Sequence, residues 1–232
     1  MGGDQNTFAP KGEVAERQRD LFLLVLWPAI IILALVTGAL VYALVRFRRR
    51  RADEAAPKQV HGNTSLEIAW TVLPMALLLG LAVPTITGIV DLGREPGEDA
   101  LQVRVIGRQF FWTFEYAEFT DAEGNPLESE RELHVPVGRE IGVSIESQDV
   151  IHSFWVPKLA GKQDAIPGRT NKMWFEADVP GTYSGQCAEF CGLNHAFMRL
   201  NVIAQTEEEF QDWVAEQLTE QNAKLAAGAT EG

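Results

Sequence analysis

The sequence predicts a two-helix transmembrane hairpin followed by an all-β sandwich that ends in a C-terminal helix. Three features support this prediction: two long uncharged runs, short segments with alternating apolar residues beyond them, and helical spacing at the C-terminus. The formal net charge of −12 is uneven, at +2 over residues 1–90 and −14 over residues 91–232. We expect no nucleic-acid partner, because phosphates bind basic surfaces and the larger half is acidic.

Two uncharged runs are long enough to cross a bilayer. Residues 21–45 and residues 68–90 carry no charged side chain. At about 1.5 Å per residue the first run reaches roughly 37 Å, which exceeds a hydrocarbon core of about 30 Å. Buried helices of a soluble protein are the alternative, but two such lengths in succession disfavour it. Three prolines in the runs do not exclude membrane spans, because neighbouring groups can satisfy the freed carbonyls.

Basic residues predict the orientation of the hairpin. Residues 46–67 connect the two runs and carry a cluster of positive charges, at Arg46, Arg48, Arg49, Arg50, Arg51 and Lys58. Positive charge beside a span stays on the cytoplasmic side. We therefore expect a cytoplasmic connection, an extracytoplasmic N-terminal tail over residues 1–20, and an extracytoplasmic location for everything after Val90. The first run is too long for a signal-peptide core.

Short alternating segments predict half-buried strands over residues 96–205. Every second residue is apolar in four segments, at residues 101–105, 112–116, 141–145 and 198–202. This period of two is typical of strands with one buried face, and turn-forming residues separate the segments. Many short strands without helices between them predict an antiparallel sandwich or barrel.

Helical spacing returns in residues 206–232, which we expect to form a C-terminal helix and tail. Phe210, Val214 and Leu218 follow one another at intervals of four residues. Thr206 and Glu209 have the spacing of a capping box at the start of this helix.

Soft metal ligands are concentrated in residues 183–198, with the sequence YSGQCAEFCGLNHAFM. Both cysteines of the chain, Cys187 and Cys191, lie here with His195 and Met198. Thiolate and thioether ligands favour copper. A Cys187–Cys191 disulfide is one alternative, although so small a loop gains little entropy. Four-ligand zinc is a stronger alternative, although zinc has no use for the methionine.

A second imidazole could reach this loop from upstream. His152 lies in the apolar segment DVIHSFWVP, and a sheet can bring that segment against the loop. A lone histidine is more often a hydrogen-bonded residue than a ligand. One cysteine with two histidines and a methionine would form a mononuclear blue-copper site. With a second cysteine, two thiolates could bridge two copper ions, giving a centre that passes electrons and binds no substrate.

Four motifs together resemble subunit II of the haem-copper cytochrome c oxidases. They are CAEFCGLNHAFM, HSFWVP, DAIPGR at residues 164–169, and LEIAWTVLP at the second run. The resemblance extends to about Ala204 and implies a cupredoxin-like domain carried by a membrane hairpin in a bacterial-type cell membrane. It implies an oxidase subunit that takes electrons from cytochrome c and passes them to haem in subunit I. Oxygen reduction, coupled to proton pumping, and the haems would belong to subunit I, with which further oxidase subunits would assemble.

The resemblance also implies a binuclear copper centre of the CuA type. Its ligands would be His152, Cys187, Cys191, His195, Met198 and the main-chain carbonyl of Glu189. The side chain of Glu189 would ligate a magnesium ion at the interface with subunit I. Glu67 matches a carboxylate at the mouth of a proton pathway, with a plain helix-start acid as the alternative.

The route of the incoming electron departs from the family pattern. The family commonly has a tryptophan at the opening of the stretch that reads Phe110-Phe-Trp112 here, so either Phe110 or Trp112 would receive electrons. Sheet packing is the alternative role of both. Four acidic residues could steer a basic cytochrome, although a solvated sheet edge would look the same: Glu115, Glu118, Asp121 and Asp149.

Other classes of function are less compatible with the residues. Quinol oxidases have a related subunit without these copper ligands. The sequence holds no C-x-x-C-H haem motif, so we expect the donor cytochrome to be a separate chain. A membrane-anchored copper-binding or copper-delivery module is the alternative from a different class.

Overall fold

The computed structural model describes residues 5–48, 59 and 61–228. The chain divides into two units, one formed by Asp20–Val90 and the other by Met1–Arg19 with Asp91–Gly232. Arg49, Arg50, Arg51 and Lys58, on which the predicted orientation partly depends, lie outside the described residues.

Two long helices form the membrane unit. Helix α1 (Glu13–Arg46) and helix α2 (Thr64–Leu92) extend beyond the uncharged runs at both ends, and both are long and apolar enough to cross a bilayer. Large apolar side chains such as Leu33 and Leu73 are exposed over about two-thirds of their surface, at 67% and 70%. Lipid would cover such surfaces, because isolated helices are the form in which a chain satisfies its backbone inside a membrane.

The larger unit is a sandwich of two five-stranded sheets. One sheet has the order β3-β2-β1-β5-β8 and the other the order β4-β10-β9-β6-β7. The strands are β1 (Leu101–Arg108), β2 (Phe111–Thr120), β3 (Pro126–Glu130), β4 (Glu132–Pro136), β5 (Ile141–Ser147), β6 (His152–Trp155), β7 (Lys162–Ala165), β8 (Asn171–Phe175), β9 (Gly181–Cys187) and β10 (Arg199–Gln205).

The core lies between the sheets and consists of the alternating residues that the sequence singles out. At most 2% of each of these side chains is exposed: Leu101, Val103, Val105, Trp112, Phe114, Tyr116, Ile141, Val143, Ile145, Met198, Leu200 and Val202. The prediction of half-buried strands is confirmed in all four segments. Burial of this apolar area supplies the main driving force for the sandwich.

Two strand pairs are parallel, which differs from the predicted antiparallel arrangement. Strand β1 pairs with β5 in parallel, and β4 pairs with β10 in parallel. The chain changes sheets at Arg131, between β3 and β4, and β5 then returns to the first sheet in the direction of β1. Alternating apolar residues report which face is buried and contain no information about the direction of the neighbouring strand.

Helix α3 (Glu207–Gly228) packs along the edge of the sandwich formed by β2, β3, β4 and β10. The predicted capping box is confirmed, because the Thr206 main-chain N–H donates to Glu209 Oε2 at 2.9 Å and the Glu209 main-chain N–H donates to Thr206 Oγ1 at 3.3 Å. Phe210 is fully buried and Val214 is 4% exposed, so the apolar face packs on the core.

The segment before the first span docks on the sandwich. The Lys11 N–H donates to the Lys158 carbonyl at 2.8 Å, and the Asp178 N–H donates to the Lys11 carbonyl at 2.9 Å. Val14 and Ala15 are each 4% exposed. The sequence predicts a tail over residues 1–20. In the structure, residues 11–15 of this segment belong to the folded extramembrane unit. Its short, weakly apolar sequence does not predict this contact.

Gly12→Ala is expected to release this segment. A Cβ atom at Gly12 would lie 2.1 Å from the Glu176 carbonyl oxygen, so the backbone must move. The local opening free energy should fall by about 1–3 kcal/mol, the usual effect of overpacking. Hydrogen exchange at the Lys11 and Asp178 amides measures it. Gly97→Ala is the matched control, since its nearest neighbour would lie 4.0 Å away. Unchanged exchange in the Gly12 variant would contradict the docking.

Candidate metal centre

A closed loop presents the soft ligands. Cys187 is the last residue of β9, and Met198 directly precedes β10. These strands are antiparallel neighbours, and the Cys187 N–H donates to the Met198 carbonyl at 2.9 Å. A short 3₁₀ turn at His195–Phe197 returns the chain to the sheet. The loop between the strands therefore begins and ends at two of the predicted ligands.

The neighbouring strand adds the upstream histidine. His152 is the first residue of β6, which pairs with β9 in a register that places Phe154 opposite Cys187. The Ala188 N–H donates to the Ser153 carbonyl at 2.9 Å, which extends the pairing past the end of β9. Strand pairing thus brings together residues 35 positions apart in the chain.

The two thiols lie at the centre of the predicted ligands. Their Sγ atoms are 3.8 Å apart. Cys187 Sγ lies 3.9 Å from His152 Nδ1 and 3.2 Å from the Glu189 carbonyl oxygen. Cys191 Sγ lies 3.6 Å from His195 Nδ1 and 3.8 Å from Met198 Sδ. Each sulfur therefore has one imidazole and one weaker donor beside it.

Burial and donor chemistry fit copper. His152, both cysteines and Met198 are each at most 4% exposed, and all six donors converge without a carboxylate among them. No disulfide joins the two sulfurs, whose separation of 3.8 Å compares with a bond length of about 2.05 Å, and this separation would allow both to bind one ion at about 2.3 Å each. A zinc site of two cysteines and two histidines would leave the buried thioether unused.

The environment makes the two thiols unequal before any ion binds. Burial is the largest single influence and disfavours a charged thiolate at Cys187, but hydrogen bonds with His152, with the main chain of Ser153 and Glu189, and with His195 together outweigh it and lower the pKa of Cys187 to about 6. Burial and the adjacent Cys187 charge raise the pKa of Cys191 to about 12. A cation bound between the sulfurs would remove this repulsion and favour two thiolates.

A carboxylate and an aromatic ring hold the His152 imidazole. Its Nε2 lies 2.8 Å from Asp149 Oδ1, which leaves Nδ1 directed at the cysteines. The Trp112 ring packs against the same imidazole at an interplanar angle of 64°, with centroids 5.9 Å apart. Hydrogen bonds of this kind fix the orientation of metal-binding histidines.

The four acidic residues expected at a donor-docking patch all have partners within the chain. Glu115 pairs with Arg104 at 2.9 Å and Glu118 with Arg139 at 3.1 Å. Asp121 is 7% exposed and accepts a hydrogen bond from Gln221 at 2.9 Å. Asp149 faces His152, a contact that the sequence did not predict although the two residues are only three positions apart. The docking role of these residues stays a prediction.

The remaining predicted residues lie in different settings. Trp112 is fully buried, whereas Phe110 is half-buried against the ligand loop, where a Cβ atom at Gly192 would lie 3.3 Å from its ring. Glu189 is exposed. Glu67 lies in the first turn of α2 and accepts a hydrogen bond from the Asn63 N–H at 3.2 Å, as a helix-start acid does.

Sequence reasoning missed Gln109. This residue lies between β1 and β2, and its side-chain amide donates to the Cys191 carbonyl at 2.6 Å. The two residues are 82 positions apart, and an isolated glutamine in a turn has no metal-binding signature.

Comparisons with known proteins identify the family of this chain. The family model for the cytochrome C oxidase subunit II periplasmic domain matches residues 101–205, and that for the subunit II transmembrane domain matches residues 8–87. Cytochrome c oxidase subunit 2 of Alkalihalophilus pseudofirmus is 43% identical over 91% of this chain and 62% of its own length. Subunit 2 of Synechocystis is 36% identical over 87% of this chain and 72% of its own length.

The chain belongs to the cytochrome c oxidase subunit II family. Quinol oxidase subunit 2 of Bacillus spizizenii is also similar, at 35% identity over 92% of this chain and 67% of its own length. This subunit II chain spans less than two-thirds of the length of the A. pseudofirmus relative. The expected family and fold are confirmed, and the two apolar helices with the periplasmic domain mark a membrane protein with an extracytoplasmic domain.

Gly107→Ala is expected to weaken metal binding in this subunit. A Cβ atom at Gly107 would lie 2.9 Å from His152 Cδ2 and 3.2 Å from the Trp112 ring, which would displace the imidazole from its present position. Loss of such support typically lowers metal affinity about tenfold to a hundredfold. Titration with cobalt(II), followed by thiolate-to-metal absorption, measures it. The Gly97→Ala control should match the unaltered chain, and equal affinities in both variants would contradict the expected displacement.

Proposed function

We propose that this chain is the electron-transfer subunit of a respiratory cytochrome c oxidase in a bacterial-type cell membrane. The observation that supports this most strongly is the pair of buried thiols 3.8 Å apart, each flanked by an imidazole and a weaker donor. Two copper ions held there would supply reversible one-electron transfer. Oxygen reduction, proton pumping and the haems would belong to subunit I.

The protein would hold the copper ions through six donors. Cys187 and Cys191 would bridge them, and His152, His195, Met198 and the Glu189 carbonyl would complete the shell. The burial of four of these side chains excludes water, and their attachment to paired strands restricts movement. A shell that is full and rigid leaves no site for a substrate and changes little in geometry between oxidation states, which favours fast electron transfer.

We place the arrival of electrons at Phe110. A donor can contact only surface groups. Phe110, in the turn between β1 and β2, is half-buried against the ligand loop, whereas Trp112 is fully buried beside His152. The charge of −14 over residues 91–232 would attract a basic cytochrome c. The four acidic residues expected at the docking patch already have partners in the chain: Glu115, Glu118, Asp121 and Asp149. Donor steering is therefore supported more strongly by the net negative charge of this unit than by these four residues.

An apolar face of the ligand loop would contact another oxidase subunit. Phe190, Leu193 and Phe197 are exposed at 76%, 93% and 78%, and the Phe190 ring lies 5.7 Å from that of His195. Exposed apolar clusters of this kind mark protein contacts. The adjacent Glu189 side chain is also exposed, so we propose that it reaches a magnesium ion at the same interface with subunit I.

We propose a role for Glu67 at the entry to a proton pathway. Its carboxylate lies near the cytoplasmic end that the charge pattern predicts for α2, outside the uncharged run. It could deliver protons to subunit I at that membrane surface. Its hydrogen bond with the Asn63 N–H is compatible with this role, because a carboxylate has further acceptor positions.

A quinol oxidase subunit and a copper-delivery module are the alternatives. The complete donor set argues against the quinol class, which would have no use for it. A delivery module needs exchangeable copper, whereas enclosed bridging thiolates predict slow loss to a strong chelator. The rate at which a strong chelator removes copper therefore distinguishes a copper-delivery module from an electron-transfer subunit.

Cys187→Ser should destroy the shared-electron centre, whereas Met198→Leu should keep both copper ions and shift the reduction potential. The reason is that Cys187 would supply a thiolate that the centre needs to share its electron, whereas the Met198 thioether would be a weaker ligand. Electron paramagnetic resonance of the full chain in detergent, loaded with copper, tests this prediction. Hyperfine coupling to two equivalent copper nuclei is expected for the unaltered chain. A single-copper signal, or no signal, would overturn the proposed function.

Leu193→Asp should prevent stable assembly with the oxidase while leaving the copper signal unchanged. The substitution places a charge on the most exposed residue of the apolar face, and a buried unpaired charge strongly disfavours an interface. Co-purification of the other oxidase subunits measures assembly. Phe8→Asp, at a residue 57% exposed and outside the loop, is the control. Normal assembly of the Leu193 variant would contradict the assigned interface.

A further inference from the structure

The strands position only part of the ligand set. Pairing of β9 with β6 and β10 fixes Cys187, His152 and Met198. Cys191 lies four residues beyond the end of β9, in a loop that has neither helical nor strand structure until His195. Another contact must therefore fix the second sulfur with respect to His152.

Gln109 makes that contact from the opposite sheet. Its side-chain Nε2 donates to the Cys191 carbonyl at 2.6 Å. Its main-chain N–H donates to Asp149 Oδ2 at 2.7 Å. The other oxygen of that carboxylate, Oδ1, lies 2.8 Å from His152 Nε2. Hydrogen bonds thus run without interruption from the loop of the second cysteine to the upstream imidazole.

Asp149 can transmit this connection because it is itself constrained. The Val150 N–H donates to Oδ1 at 2.6 Å, and the Asp149 N–H lies 3.2 Å from Ser147 Oγ. Both carboxylate oxygens are therefore occupied by donors from separate segments. The carboxylate has little freedom to rotate, so a displacement of Gln109 would be passed to the imidazole.

We propose that Gln109 is a positioning residue that fixes the Cys191 loop relative to His152 and thereby sets the geometry of the copper centre. This inference rests on the proposed binuclear site. The same residue precedes Phe110, whose ring lies against Gly192 in the loop, so Gln109 also holds the surface aromatic beside the ligands.

Gln109→Met tests the proposal in the full chain, loaded with copper in detergent. Methionine keeps the length of the side chain and removes the donor. Copper loss to a strong chelator should become at least about tenfold faster, as for other groups that support metal ligands. Paramagnetic NMR signals of the His152 ring should also shift, although the deleted bond is at Cys191. Gln109→Glu, which places an acceptor against the carbonyl, should give the same changes.

Gln102→Met is the matched control, since Gln102 lies on β1, the strand that precedes Gln109, and its amide donates to the Ala100 carbonyl, at 3.4 Å, away from the ligand loop. Asp149→Asn alters the carboxylate that connects the Gln109 N–H to the His152 imidazole. The combined Gln109→Met and Asp149→Asn variant should lose copper much more slowly than the product of the separate effects predicts, because both break one connection.

Two results would overturn the inference. One is a Gln109→Met chain that matches the control in copper loss and in its His152 signals. The other is a combined Gln109→Met and Asp149→Asn variant in which the rate of copper loss rises by the full product of the two separate increases. A single-copper signal in the unaltered chain would instead overturn the proposed function, and the inference with it.

Discussion

The metal site depends on the main-chain hydrogen bonds of β9 with its two neighbours. The Cys187 N–H bonds to the Met198 carbonyl on one side, and the Ala188 N–H bonds to the Ser153 carbonyl on the other. These bonds cannot shift by one residue without turning the buried face of β10 to solvent, because side chains alternate along a strand. The apolar core therefore specifies the register, and the register specifies which ligands meet.

Side-chain contacts outside the strand pairing position the remaining ligand and constrain the His152 imidazole. Strand pairing accounts for Cys187, Met198 and His152, but the Cys191 turn is held from the other sheet by Gln109. Asp149 connects the same residue to the imidazole. Both sheets of the sandwich thus take part in one small cluster, and a rigid scaffold of this kind suits a centre whose ligands should not move when an electron arrives.

The extramembrane unit also includes sequence that precedes the first span. The Lys11 main chain bonds to both Lys158 and Asp178, and Val14 is buried. Arg17 forms ion pairs with Asp91 and Glu13 within the same unit. A fragment that begins at Pro96 would lose these contacts, which is why the full chain is the appropriate material for testing copper binding.

The sequence by itself determined the local patterns: two spans, four half-buried strands, the Thr206–Glu209 cap, and a loop of soft ligands with His152 as a further candidate. These depend on short-range periodicity and on residue chemistry, both of which are readable along the chain. Only the tertiary structure decided the parallel pairing of β1 with β5, the docking of Val14, and the Gln109 and Asp149 contacts. Those contacts join residues tens of positions apart, and their partners are selected by how the two sheets pack, which no local pattern encodes.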